Sequence, residues 1–232
     1  MPRNHPTNHL QSKRKSILVN RGEARECLLN VAEQLFAQHG VDGVSLRSIN
    51  AAAGVGPSIL HYHFGNVETL LEAIISRRMD ELMQQRRTML QALANEDNVT
   101  VRNVIEAMVL PLATYAIEHS DSGMRYVRLL ARLYSDRNPI LEAASAKRLA
   151  EGQQMMSILL QKALPELPKK ILHERLDIAS HTMLHTLADF DAPPRYTSTS
   201  TAKTSKKSLW QRVAHLIDFM SAGMAAPLRD AD

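Results

Sequence analysis

Asp177, His181 and His185 recur at successive four-residue steps, which on a helix stacks a carboxylate and two imidazoles along one face at a spacing that suits Zn²⁺ or another metal. No cysteine or further carboxylate cluster completes that site in sequence. The strip therefore reads as a polar seam at the surface or in a dimer interface, and neither a metal nor another cofactor is assigned. Arg125, Arg128 and Arg132 repeat at helical spacing and suit an anchored anion, though a salt-bridged surface uses the same pattern. The basic run Lys13-Arg14-Lys15 suits phosphate or minor-groove contact by Arg14 and Lys15. The single Cys27 cannot form an intramolecular disulfide and reads as a reduced thiol. A phosphate-binding loop, a nucleophile elbow and an HExxH motif are all missing, so no enzymatic activity is expected.

The elements that must position these groups are helical. The chain has 232 residues, 44% apolar but only 4% aromatic, rich in Leu, Ala and Met and poor in β-branched runs, which favours an all-α build of about nine helices. A net charge of +4 permits a polyanionic partner without requiring one. The longest apolar run, residues 107–117, is too short to span a bilayer and contains Pro111, and the N-terminus lacks a signal-peptide core. A soluble cytoplasmic protein with no membrane partner is expected.

Residues 1–19 hold Pro2, Pro6 and the basic run without a helical period, and read as a flexible basic arm. A helix should start at Asn20 and stop at Gly40, with Leu28, Val31, Ala32, Leu35 and Phe36 on its apolar face. Ser45 is a good cap for a second helix with Leu46, Ile49, Ala52 and Ala53 inward, and Gly54 offers the left-handed backbone that closes it. Val55 can plug the corner. Gly56-Pro57 restarts the chain as a third helix, because proline at the first helical position loses no useful donor. In that helix Leu60, His63 and Phe64 share the inner face, while Pro57, Ser58, His61 and Tyr62 point outward and Ile59 sits at the border, where it can meet a thymine methyl. Arg47, outward on the second helix, is the choice for a charged contact. Two short helices meeting at a sharp angle make a helix-turn-helix.

Asn66 caps a long fourth helix over residues 67–94, whose charged pieces Arg77-Arg78 and Gln84-Gln85-Arg86-Arg87 read as solvated faces. Helices follow over residues 101–119, capped by Thr100 and interrupted by Pro111, then 123–136, 138–164 and 169–190. Residues 191–207, rich in Ser, Thr and Lys, read as a mobile loop, and Ser208 then caps a last helix over 209–225.

The ordered set Ala32, Leu35, Phe36, Gly40, Leu46, Ile49, Ala53-Gly54-Val55, Leu60-His61-Tyr62-His63-Phe64 and Leu70-Leu71 resembles the DNA-binding domain of the tetracycline-repressor (TetR) family of bacterial transcription regulators. The resemblance covers roughly the first third of the chain. It implies a DNA-binding domain over 20–66, a ligand-binding and dimerisation domain over 67–232, and a four-helix dimer interface made by the last two long helices of each subunit. It implies phosphate contacts for His61 and Tyr62. Two positions depart from the family pattern: Gly56 replaces the usual Ser or Thr before the recognition helix, and Val67 replaces the usual Lys, so the basic arm would have to compensate. The function implied is a homodimeric repressor that leaves a palindromic double-stranded operator when a small apolar or anionic effector binds. Met108, Leu112, Tyr115, Arg128, Met155 and His185 are the candidate effector contacts. A transcriptional activator of the same fold is the nearer alternative. A helical small-molecule or lipid carrier is the more distant one, since a carrier has no need for the arrangement at residues 54–64.

Overall fold

The helical periods resolve into nine α-helices, with no strand, among residues 21–192 and 205–228, which the computed structural model describes. The arm with Arg14 and Lys15, the expected cap Asn20, and residues 193–204 of the expected loop lie outside them. The order is α1 (Arg21–His39), α2 (Leu46–Ala53), α3 (Pro57–Phe64), α4 (Val67–Ala94), α5 (Val101–Glu118), α6 (Ser120–Ser135), α7 (Pro139–Ala163), α8 (Lys169–Ala188) and α9 (Lys206–Met224). None of these helices is long and apolar enough to cross a membrane.

Local chemistry sets most of the boundaries. Asn66 Oδ1 accepts from Thr69 N at 2.8 Å and starts α4, and Thr100 Oγ1 accepts from Asn103 N at 3.2 Å and starts α5. The last helix starts earlier than expected: Ser205, not Ser208, is its cap, with Ser205 Oγ accepting from Ser208 N at 3.2 Å. Lys206 and Lys207 are good helix formers, and Ser208 falls at the third helical position, where its amide is the one a cap satisfies. Helix α6 likewise begins before the expected residue 123.

α1 to α3 pack together, and α4 leads from them to α5 and α7; α6 lies against α1, α5 and α8, and α9 covers α5 and α8. Because α6 has several neighbours, it buries a broad face that includes Tyr126, Val127, Leu129, Leu130 and Leu133, with its arginines on the opposite side. The same packing turns α1. Leu29 and Glu33 are buried with Leu28, Ala32 and Phe36, whereas Val31 and Leu35 are half-buried.

Two arginines of α4 overturn the solvated-face expectation. Arg86 is only 7% exposed, and Arg77 is tied to the buried Glu33 of α1 at 2.7 Å. Helix periodicity places both near the apolar stripe, and the partner helices then enclose them.

At Gly123 the backbones of α5 and α6 come close together. A Cβ there would lie 2.5 Å from the Tyr115 carbonyl oxygen and 2.9 Å from Ala116 Cα, and these are backbone atoms that cannot swing aside. Gly123→Ala is expected to lower unfolding free energy by about 1–3 kcal/mol. A lower denaturation midpoint with an unchanged slope is the expected reading in urea.

Candidate functional site

The α2–α3 corner is built from its caps inward. Ser45 Oγ accepts from Ser48 N and Ser48 Oγ accepts from Ser45 N, both at 3.1 Å, a reciprocal cap that starts α2. Gly54 closes α2 at φ 65°, and Val55 N donates back to the Asn50 carbonyl at 3.1 Å. Ile49, Leu60 and Phe64 then fill the space between the helices.

Asn50 was not foreseen. It is buried, and its Nδ2 donates to the Pro57 carbonyl at 3.0 Å, so a side chain of α2 holds the first residue of α3. The available signal was a polar residue one place after Ile49, on the face that also carries Leu46 and Ala53. Ala52 is exposed rather than inward: at 3.6 residues per turn the buried face centres on Leu46 and Ala53, with Asn50 on one flank, and Ala52 falls well outside it.

Outward from this corner, Arg47, Pro57, Ser58, His61 and Tyr62 are exposed, Tyr62 to 67%, and Ile59 is half-buried. All six therefore keep side-chain surface outside the small core. Gly56 caps α3 without a side-chain hydrogen bond. His61 Nδ1 donates to the Gly65 carbonyl at 2.7 Å, which fixes the ring and leaves Nε2 as its remaining polar edge. His63 is half-buried, with its ring edge-on to Tyr62 at 5.2 Å. Arg25 of α1 lies over the Phe64 ring at 5.4 Å and closes the end of this small core.

Behind the corner sits a polar seam between α1, α4 and α6. Arg77 Nη1 reaches Asn30 Oδ1 at 2.9 Å and Glu26 at 3.2 Å, while Nη2 reaches Glu33. Burial pushes the Glu33 carboxyl above the usual carboxylate range, and the adjacent Arg77 charge offsets only part of that. Tyr126 donates to the Ile75 carbonyl at 2.9 Å, and its ring meets Tyr115 edge-on at 5.6 Å. Burial raises the phenols of both tyrosines.

The candidate effector contacts divide into two groups. Met108, Leu112 and Tyr115 are buried on α5, and Met155 is half-buried on α7. Arg128 and His185 do not join them, which corrects their grouping. Arg128 Nε donates to the Ala188 carbonyl at 3.2 Å and its Nη2 pairs with Asp191 at 2.5 Å, so it caps the end of α8. Nor do the three arginines of α6 form one anion strip, because Arg132 instead leans on Gly40 and is 4.0 Å from Asp136. His185 is exposed, and its Nε2 lies 2.8 Å from Ser135 Oγ. His181 packs edge-on to Tyr134 at 4.6 Å, and among the described residues no three His, Cys, Asp or Glu side chains gather as metal ligands.

One surface groove of about 410 Å³ runs between α4 and α5, lined by Gln85, Thr88, Met89, Leu110, Pro111 and Thr114 among others. None of the six candidate effector residues lines it.

Residues 28–74 match the family described as bacterial regulatory proteins, tetR family, and residues 106–223 match the tetracyclin repressor-like C-terminal domain. The HTH-type transcriptional regulator UidR of Escherichia coli (strain K12) is 25% identical over 132 residues, a stretch that spans 56% of this chain and 66% of UidR. The HTH-type transcriptional repressor KstR2 of Rhodococcus jostii (strain RHA1) is 29% identical over 82 residues, 35% of this chain and 38% of KstR2. Among solved structures, the fatty acid degradation regulator FadR from Bacillus halodurans shares the fold with a TM-score of 0.58 at 14% identity, covering 89% of this chain and 98% of that one.

Proposed function

This chain belongs to the TetR family of bacterial transcription regulators, and we propose that it works as a homodimeric repressor released from a palindromic operator by a small-molecule effector. The observation that carries the reading is the α2–α3 corner, held by Gly54 and Asn50, which leaves Arg47, Pro57, Ser58, His61 and Tyr62 exposed and Ile59 half-buried. An exposed short helix presented by such a corner fits a major groove, with α3 as the reading helix. Residues 20–66 would bind DNA, and residues 67–232 would bind the effector and the second subunit. The repressor name of KstR2 supports the sign of regulation.

Dimerisation places two reading helices on consecutive major-groove faces, which multiplies specificity and imposes an inverted repeat. Support comes from Ile178 on α8 and Phe219 on α9, large apolar side chains left 64% and 70% exposed. Release follows if the effector favours a dimer in which the two α3 helices are wrongly spaced, with α4 as the connecting element.

Selection of bound fragments from random double-stranded DNA tests the reading. An inverted repeat is the expected product, and failure to enrich any sequence would sink it. On the selected site, Arg47→Ala should weaken binding across sequences and reduce the salt slope of log K by about 1. An unchanged slope would remove Arg47 from the phosphate contacts.

A further inference from the structure

Arg86 carries a charge that no carboxylate among the described residues answers. It stands in the second half of α4, 7% exposed, where α4 packs on α5 and α7. Its Nη2 donates to the Met108 carbonyl at 2.8 Å, its Nη1 is 3.9 Å from the Met83 sulfur, and its Nε has no hydrogen-bond partner. No carboxylate among the described residues pairs with it, whereas the next arginine, Arg87, has Glu151 at 3.4 Å. Desolvation pushes the guanidinium down to about 10, which still leaves it charged at neutral pH. A buried cation with one carbonyl and one thioether for company is costly, because neither neutralises the charge.

The surroundings suit an anion with an apolar body. Leu82, Leu90 and Met108 are buried, and Gly152 of α7 faces the Arg86 Cδ without a side chain of its own. The 410 Å³ groove opens along the same α4–α5 seam, on a different face of the two helices, and neither Arg86 nor Met108 lines it. Met83, Met89 and Met108 are unbranched and can repack to admit a guest. A singly charged planar carboxylate matches the fork of a guanidinium, and it brings less charge to desolvate than a phosphate dianion.

We propose that Arg86 is the charge-reading group of the effector site, and that the effector is a small carboxylate whose apolar part lodges between α4, α5 and α7. This rests on the reading of the chain as an effector-controlled regulator and names the class of effector. A carboxylate competing for Nη2 would loosen the Arg86–Met108 tie and so act on α4, the helix that continues into the DNA-binding helices.

The test uses the full chain with benzoate, hexanoate and decanoate, each against its primary amide, which keeps the shape and removes the charge. Calorimetry on the wild type should show at least one acid binding about 10- to 100-fold tighter than its amide. Arg86→Met should erase that preference while keeping amide-level binding, and Arg86→Lys should keep part of it. The ligand-free Arg86→Met protein should melt at or above the wild-type temperature, because an unpaired buried cation has been removed. Equal binding of acid and amide, a preference that survives in Arg86→Met, or no acid binding at 10-millimolar order would each overturn the assignment. A lower melting temperature with the preference intact would reduce Arg86 to a support for the Met108 carbonyl. Arg86-dependent acid binding that leaves operator affinity unchanged would preserve the anion site and defeat the effector reading instead.

Discussion

The double variant Ile178→Glu, Phe219→Asp is expected to sediment as a monomer and to bind the selected operator about 10²- to 10⁴-fold more weakly than the wild type. Both side chains are mostly exposed in the single chain, at 64% and 70%, so replacing them removes little from the monomer core. In a dimer built on α8 and α9 the new carboxylates would be pressed against apolar neighbours or against each other, which costs several kcal/mol by desolvation. A monomer keeps its α2–α3 corner but loses the linkage between half-sites, which is where the affinity falls. Sedimentation velocity and fluorescence anisotropy on labelled operator read the two halves separately. A variant that stays dimeric would move the interface away from these helices.

The second large effect belongs to the seam behind the DNA-binding helices. Arg77→Met leaves Glu33, 3% exposed in its side chain, without its 2.7 Å partner, and is expected to cost about 3–5 kcal/mol of stability. The pH dependence has a definite sign. Burial raises the Glu33 carboxyl above its value in the unfolded chain, so the native state holds that proton more tightly. The contribution of this group is therefore most favourable at acid pH and declines as pH rises from the ordinary carboxylate range through the raised value. Without Arg77 the decline should steepen, making the variant closer to wild type at pH 5 than at pH 8 in denaturant titrations. Glu33→Gln in the Arg77→Met background should flatten the curve. A penalty independent of pH would mean that Glu33 is not the group left stranded.

The corner at residues 45–64 was legible because its signals are local. Ser45, Gly54 and Pro57 act on their own helices, and Leu60 with Phe64 follows from helical spacing alone. Asn50 escaped because its partner, the Pro57 carbonyl, becomes a partner only after the turn has formed. Arg77 and Arg86 escaped for a related reason. Whether a charge on a long helix is solvated depends on what packs over it, and Glu33 lies 44 residues from Arg77 while Met108 lies 22 residues from Arg86. The same limit separated Arg128 and His185 from the α5 residues: spacing places a side chain on a face, and only the arrangement of helices says what that face meets. The family resemblance, in contrast, rested on a contiguous motif and needed no tertiary information.

Gly123 has a mechanical consequence. Where α5 and α6 touch backbone to backbone, there is no layer of side chains to shear or repack, so the pair should move as a single strut. The α5 half of that strut includes Met108, against Arg86, and its α6 half lies on α1 beside Glu33. A disturbance at the α4–α5 seam would then reach the DNA-binding helices by two routes, along α4 itself and through the strut. α5 and α6 are tied to each other beside the turn that joins them, and the protein would transmit strain as a braced frame rather than as a single rod.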